Sequence, residues 1–212
     1  EAARSRGARV TSQSDLFFEL CPARTVGITG TKGKGTTASL LAHLLDSQPR
    51  DRHSGLDPES SGQILKPHVA QGYVGALQVQ SLPRTRFGDD DRKVYLAGNI
   101  GTAPFSFLDK LTSDDVVVLE LSSGQLQDMT HSPNLAIVLD ISADHLDYHA
   151  TLDEYIDAKK TIVRFQHSGD IALLNLDSLM APSFALEAGG EVRYYATTKS
   201  VDVGGYLQGD DI

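Results

Sequence analysis

Thr25-Val26-Gly27-Ile28-Thr29-Gly30-Thr31-Lys32-Gly33-Lys34-Gly35-Thr36-Thr37 decides the fold. A short apolar run stops at a glycine-rich turn that carries two lysines and ends in Thr36 and Thr37. An apolar-periodic stretch, Ala38 to Leu45, follows and predicts a helix. Strand, glycine-rich loop with lysine, and helix form the arrangement that binds nucleotide phosphates. Glycines let the backbone N–H groups turn inward, the helix N-terminus adds partial positive charge, and lysine places a full charge against the terminal phosphate. Gly30, Thr31, Lys32, Gly33, Lys34, Gly35, Thr36 and Thr37 are therefore candidate cofactor-binding residues. The spacing departs from an ordinary P-loop, because Gly35 follows Lys34 and the hydroxyl comes one residue later, at Thr36.

Outward from this loop, short apolar runs alternate with helical patterns. Strands are expected at Lys93–Ala97, Asp115–Leu121, Leu135–Leu139, Ile171–Asn175 and Val192–Ala196, with one more beginning near Gly205. Helices are expected at Pro104–Leu111, Leu152–Phe165 and Pro182–Ala188, and Leu126–Met129 is only a brief element. Thr151 is placed to cap the helix at 152, with Glu154 at the capping-box offset. The run Val116-Val117-Val118-Leu119 is what a strand buried on both faces requires. The predicted fold class is α/β, a mostly parallel sheet flanked by helices with a P-loop. Before the loop, Ala8–Thr11 reads as a short strand, and Leu16–Leu20 as a short helix capped by Ser14 or Asp15 and ended by Pro22.

Residues 46–92 break the pattern. Four prolines and an acidic run interrupt them, and only Tyr73–Val79 has strand character. The stretch reads as an insertion. Within it, Arg52–Ser60 resembles peptides translated from interspersed repeats in some bacterial genomes.

Composition narrows the partners. The chain has 212 residues, 40% hydrophobic and 22% charged, with net charge −9 and pI near 5.1. No global basic field exists to coat nucleic acid. No apolar run is long enough to span a membrane, and Glu1–Arg6 carries no apolar signal segment. The single cysteine, Cys21, excludes an intrachain disulfide. The absence of an initiator Met suggests a piece of a longer chain.

In an open α/β sheet, ligands bind beyond the carboxyl ends of the strands. Asn99, Glu120 with Ser122 and Gln125, and His145 all fall at such ends, alongside the glycine loop. Mg²⁺ needs hard oxygen ligands. Thr36 offers a hydroxyl beside the phosphates, and Glu120 is a carboxylate that is costly at the end of an apolar strand unless solvated, paired or metal-bound. From the residues alone, His145 is equally a histidine stabilised by Asp140, Asp144 and Asp147. Lys159 and Lys160 read as a solvated helix face beside Glu154 and Asp157.

Three motifs together resemble the central ATP-binding domain of the Mur ligases of peptidoglycan synthesis. Gly30–Thr37 is similar to the family's phosphate loop, with Lys32 where Asn is usual. Gly98-Asn99-Ile100-Gly101 with Glu120-Leu121-Ser122-Ser123-Gly124-Gln125-Leu126 resembles the D-glutamate-adding branch. Asp144-His145-Leu146-Asp147-Tyr148-His149, followed by Glu154–Lys159, resembles the metal and carbamyl-lysine segment. The likeness covers about residues 8–45 and 93–212. It implies a cytoplasmic enzyme with ATP and Mg²⁺ as cofactors, and UDP-N-acetylmuramoyl-L-alanine and D-glutamate as substrates joined through an acyl phosphate. It implies catalytic roles for Lys34, Glu120, His145 and Lys159, with Thr36, Glu120, His145 and Lys159 serving the metals and Lys159 carbamylated. Asn99, Ser122 and Gln125 would face the substrate. A monomer, with no nucleic-acid or membrane partner, is expected. By the same likeness, residues 1–24 are the tail of an N-terminal UDP-binding domain and 25–212 the central domain. The C-terminal domain would be absent, and the chain alone would not ligate. Folylpolyglutamate-type ligases, the diamino-acid-adding branch and a non-catalytic nucleotide-binding module stay open as alternatives.

Overall fold

A computed structural model describes residues 7, 11–47, 77–79, 92–142, 149–202 and 204–207. The elements in chain order are α1 (Gln13–Leu20), β1 (Arg24–Thr29), α2 (Lys34–Asp46), β2 (Leu77–Val79), β3 (Val94–Gly98), β4 (Val116–Glu120), α3 (Ser123–Leu126), β5 (Leu135–Val138), α4 (Leu152–Arg164), β6 (Ile171–Asn175), α5 (Ala181–Ala185), β7 (Glu191–Ala196) and β8 (Gly204–Leu207). They form one eight-stranded sheet in the order β2-β8-β7-β6-β5-β1-β4-β3. Every pairing is parallel except β2 with β8. The expected α/β architecture with a mostly parallel sheet is the one observed.

The apolar run of β4 explains how the sheet is covered. Alternate side chains of a strand point to opposite faces. Val117 and Leu119 enter one core with Phe17, Leu121, Leu126, Ile162, Leu174 and Phe184. Val116 and Val118 enter the other, with Val26, Ile28 and Ala38 of α2. Helix α2 packs on β1, β3 and β4, whereas α4 touches β1 and α5 packs on β6.

β1 lies between β5 and β4. From β1 the chain passes toward β3, whereas from β5 it passes outward through β6 and β7. The winding direction therefore reverses at β1 and β5, which opens a crevice at their carboxyl ends. The segments that leave those two strands begin at Gly30 and at Leu139.

Several local expectations need correction. Pro104–Leu111 is two 3-10 turns, Pro104–Ser106 and Leu108–Lys110, instead of an α-helix. Phe107 breaks the run at φ −132° and stacks on Tyr95 at 4.6 Å, while Phe105 and Phe107 both meet Phe17 edge-on. A regular helix, at about 100° per residue, does not turn positions two apart to one partner. The brief element is a helix, Ser123–Leu126, and begins before Leu126. Thr151 does cap α4, but Glu154 accepts from Ala150 N at 2.8 Å, one residue short of the reciprocal box. The expected strand at Ala8–Thr11 and nearly all of the 46–92 stretch lie outside the described residues, β2 excepted.

Helix α1 starts from Ser12, whose side chain accepts from Asp15 N, so neither Ser14 nor Asp15 is the cap. Asp15 is instead a buried carboxylate, 2% exposed. It accepts from Thr11 Oγ1 at 2.9 Å, Thr130 N at 2.7 Å, Thr130 Oγ1 and His131 Nδ1 at 2.8 Å. Burial works against its charge, but the hydrogen bonds from His131, Thr130 and Thr11 outweigh burial and hold its pKa at about 2. A carboxylate with a depressed folded pKa contributes stability above its unfolded pKa and loses it as pH falls through the folded one. Asp15→Asn is expected to destabilise the protein by about 2 kcal/mol at neutral pH. In urea titrations, the gap between wild type and variant should close as pH falls from about 4 to about 2. A gap constant with pH would show that the ionised form contributes nothing.

Candidate functional site

The crevice at the carboxyl ends of β1, β4 and β5 gathers most of the candidate residues. Gly33 sits at φ 81° as the N-cap of α2, a left-handed conformation that admits glycine most readily. It turns the chain abruptly from loop into helix, and Thr37 N donates to its carbonyl at 2.9 Å. The first turn of α2 thus begins at Lys34, with its N-terminus at the loop.

Lys34 Nζ donates to Gly30 O at 3.2 Å and to Thr31 O at 3.1 Å. Lys159, from the middle of α4, reaches the same place. It is 1% exposed, and its Nζ donates to Thr29 Oγ1 at 3.2 Å and to Gly30 O at 3.0 Å. Two lysine side chains therefore share the Gly30 carbonyl. Burial, with the nearby charge of Lys34, lowers the Lys159 pKa to about 7. The Tyr155 ring lies 4.7 Å from Lys159 Nζ. The neighbouring Lys160 instead pairs with Glu187 at 2.9 Å on the surface.

Glu120 ends β4 beside the loop. It is 6% exposed, and its Oε2 is buried with no hydrogen-bond partner. A Cβ on Gly35 would stand 3.0 Å from that oxygen, so glycine at 35 lets the carboxylate lie against the first turn of α2. A buried carboxylate oxygen without a donor is costly unless a cation completes it. Glu120 and the exposed Thr36, which follows Gly35 on α2, present hard oxygens of the kind a divalent cation takes. The donor set fits such an ion. His145, with Asp144 and Asp147, lies outside the described residues.

Asn99 is brought to Glu120 through the backbone, its N–H donating to Glu120 O at 2.9 Å, and its side chain is exposed. Ser122 and Gln125 form a closed capping box for α3. Gln125 Oε1 accepts from Ser122 N and Ser122 Oγ, both at 3.0 Å, and Ser122 Oγ accepts from Gln125 N. Lys32 is exposed on the loop. Thr31, by contrast, is only 4% exposed and is bonded inward to Ser142 and Tyr155. Thr29, Ser142 and Tyr155 were not among the sequence candidates. Their partners lie about a hundred residues away along the chain, and no local pattern marks them.

A cavity of about 750 Å³ lies at the other end of the sheet, by the amino ends of β1, β5 and β6. Its polar lining is largely bonded within the protein. Thr25 pairs with Asn134, Asn134 with Asp170, and Ser132 with the backbone of Thr161 and Phe165. The crevice, where a carboxylate and two lysines converge on a glycine loop, is the candidate site.

Comparison with known proteins bears on the chain and its fold. Residues 28–206 match the family model described as Mur ligase middle domain. The chain is 36% identical over 209 residues to a UDP-N-acetylmuramoylalanine–D-glutamate ligase of Acetivibrio thermocellus, covering 99% of this chain and 36% of that protein. It is 36% identical over 205 residues to the enzyme of the same name from Symbiobacterium thermophilum, covering 97% and 35%. The chain thus spans about a third of the length of these curated relatives. Among solved structures, a MurF ligase from Thermotoga maritima in complex with ADP superposes with TM-score 0.55 at 18% identity, over 90% of this chain and 38% of that one. A UDP-N-acetylmuramoyl-L-alanyl-D-glutamate–2,6-diaminopimelate ligase gives 0.54 at 20%, over 87% and 34%. At such identities the superpositions speak to the fold.

Proposed function

The chain belongs to the Mur ligase family, and from that premise we propose that it is the ATP-binding part of a ligase adding D-glutamate to UDP-N-acetylmuramoyl-L-alanine. The observation that carries this reading is the buried, donor-free Glu120 Oε2 against Gly35 of a phosphate loop on which two lysines converge. The relatives' names support the substrates.

In the proposed reaction the carboxylate of the L-alanyl terminus attacks the γ-phosphorus of ATP, and ADP leaves. The amine of D-glutamate then attacks the acyl carbon and gives up a proton, and inorganic phosphate leaves. The protein's work is positioning and charge neutralisation. Lys34 exchanges its loop carbonyls for β- and γ-phosphate oxygens, while the loop N–H groups and the start of α2 hold the polyphosphate. Glu120 and Thr36 would hold a divalent cation, which would supply neutralisation of phosphate charge; Mg²⁺ suits their hard oxygens. With a pKa near 7, Lys159 has a substantial neutral fraction at physiological pH. The neutral amine can add to the carbon of CO₂ and lose a proton, becoming an anionic oxygen donor. We assign this carbamate, with His145, to a second cation. Asn99 and Gln125 face the acyl substrate. Because the capping box holds Gln125 Oε1, its Nε2 is the donor left for that substrate. Ser122 orients Gln125. ATP and a UDP-linked substrate place the reaction in the cytoplasm, and a monomer suffices for it. Among the described residues, no helix is long and apolar enough to cross a membrane.

The test is phosphate release by the full-length enzyme with ATP, UDP-N-acetylmuramoyl-L-alanine and a panel of amino acids. D-Glutamate should be the preferred acceptor. Preference for a diamino acid, or activity only with a folate and L-glutamate, would overturn the assignment. Lys34→Ala should weaken ATP binding about 10- to 100-fold by calorimetry, the loss of a charge-assisted contact. An unchanged affinity would place the phosphates elsewhere.

A further inference from the structure

Thr31 sits inside the glycine loop, where a side chain would ordinarily be assigned to the nucleotide, yet its hydroxyl is turned into the protein. We propose that Thr31 is a positioning residue, coupled to Tyr155, that fixes the phosphate loop onto α4; this deepens the nucleotide-site reading above and rests on it.

Every polar atom of Thr31 is committed. Its N–H donates to Asp140 O at 2.9 Å, and its carbonyl accepts from Lys34 Nζ at 3.1 Å. Its Oγ1 accepts from Ser142 N at 2.9 Å and lies 3.1 Å from Ser142 O and 3.3 Å from Tyr155 Oη. A hydroxyl has one proton and two acceptor positions. Ser142 N–H takes one acceptor position. Ser142 O can only accept, so it takes the hydroxyl proton. Tyr155 Oη must then donate to the remaining lone pair. The three contacts saturate Thr31 Oγ1 and leave it nothing to offer a phosphate.

The partners join two otherwise separate parts of the site. Ser142 belongs to the loop after β5, and Tyr155 to the first half of α4, 124 residues from Thr31. The Tyr155 ring also faces Lys159 Nζ at 4.7 Å and meets the buried His149 ring edge-on at 5.6 Å. One hydroxyl therefore sets the loop that receives phosphate against the helix that carries Lys159. Preorganisation of this sort acts by removing the cost of ordering the loop when ligand arrives.

A direct contact with nucleotide and a positioning role give different double-mutant behaviour. The experiment is calorimetric ATP affinity of the full-length enzyme and of Thr31→Val, Thr31→Ser, Tyr155→Phe and the Thr31→Val/Tyr155→Phe double variant, with thermal unfolding as a folding control. Thr31→Val should raise Kd about tenfold and Tyr155→Phe about threefold, from loss of hydrogen bonds. The double variant should bind like Thr31→Val alone, because both changes remove one shared bond. Thr31→Ser should stay within about twofold of wild type. Factors that multiply in the double variant, a Tyr155→Phe affinity equal to wild type, or a serine variant as weak as the valine would each overturn the proposal. So would a wild-type protein that does not bind ATP. An enzyme that binds ATP with this coupling but fails the acceptor panel would overturn the ligase assignment and leave the positioning role standing.

Discussion

Glu120→Gln in the full-length enzyme is expected to lower kcat by about 10²- to 10³-fold. The amide keeps the shape of the carboxylate and removes its charge. The buried Oε2 of the native side chain has no hydrogen-bond donor, so the protein gains nothing from the charge unless a cation meets it. The variant should accordingly fold as well as wild type or better, with the loss confined to turnover. The KM for ATP should change less than kcat, since Lys34 and the loop amides still grip the polyphosphate. Steady-state kinetics across a series of Mg²⁺ concentrations, alongside urea titration, checks both halves. A kcat within about tenfold of wild type at all metal concentrations would remove Glu120 from the cation site.

Lys159→Met should separate stability from activity in the same way, with a clearer pH signature. The folded-state pKa of Lys159 is about 7, against 10.5 for an ordinary lysine, because of burial and then the Lys34 charge. Over that range the unfolded chain binds a proton that the folded chain does not. The native lysine therefore costs stability most fully below pH 7, and the cost fades as pH rises from about 7 toward 10.5. The depression corresponds to a cost on the order of 4 kcal/mol near pH 7. Methionine removes that cost but also removes the hydrogen bonds to Thr29 and Gly30. A net gain of about 1–3 kcal/mol at pH 7 is expected, shrinking toward pH 10. Ligase turnover should drop by about a thousandfold if the carbamate serves the second cation. Urea titrations in CO₂-depleted buffer read the first effect. Added bicarbonate should then stabilise wild type and leave the variant unmoved. A variant less stable than wild type at pH 7 would show the buried amine to be adequately paired as it stands. Bicarbonate acting equally on both would exclude carbamylation at Lys159.

The glycine loop, the α/β class and most of the strands are legible in the sequence because their signals are local or periodic, whereas the sheet order is not. The strand expected at Ile171–Asn175 has the bounds of β6, and the composition of Val116–Leu119 alone indicates a strand buried on both faces. What escaped depends on distant partners. Asp15 looked like a helix cap, yet it is held by Thr130 and His131, more than a hundred residues on. Lys159 and Lys160 look equivalent on a helix. Only the packing of α4 on β1 buries the first and leaves the second on Glu187. Pro104–Leu111 reads as a helix, but Phe105 and Phe107 serve Phe17 and Tyr95 from broken turns. Thr31 was legible as part of the loop but not in its direction, since Ser142 and Tyr155 come together only when β5 and α4 are in place.

The shared Gly30 carbonyl has a practical corollary. Two lysine amines converge there on one neutral oxygen, and Lys34 together with the loop N–H groups is expected to attract small oxyanions in general. Inorganic phosphate and sulfate in a preparation buffer are expected to compete with ATP. Apparent nucleotide affinity should be weaker in phosphate or sulfate than in chloride at equal ionic strength. Affinities of different variants are comparable only when the buffer anion is held constant.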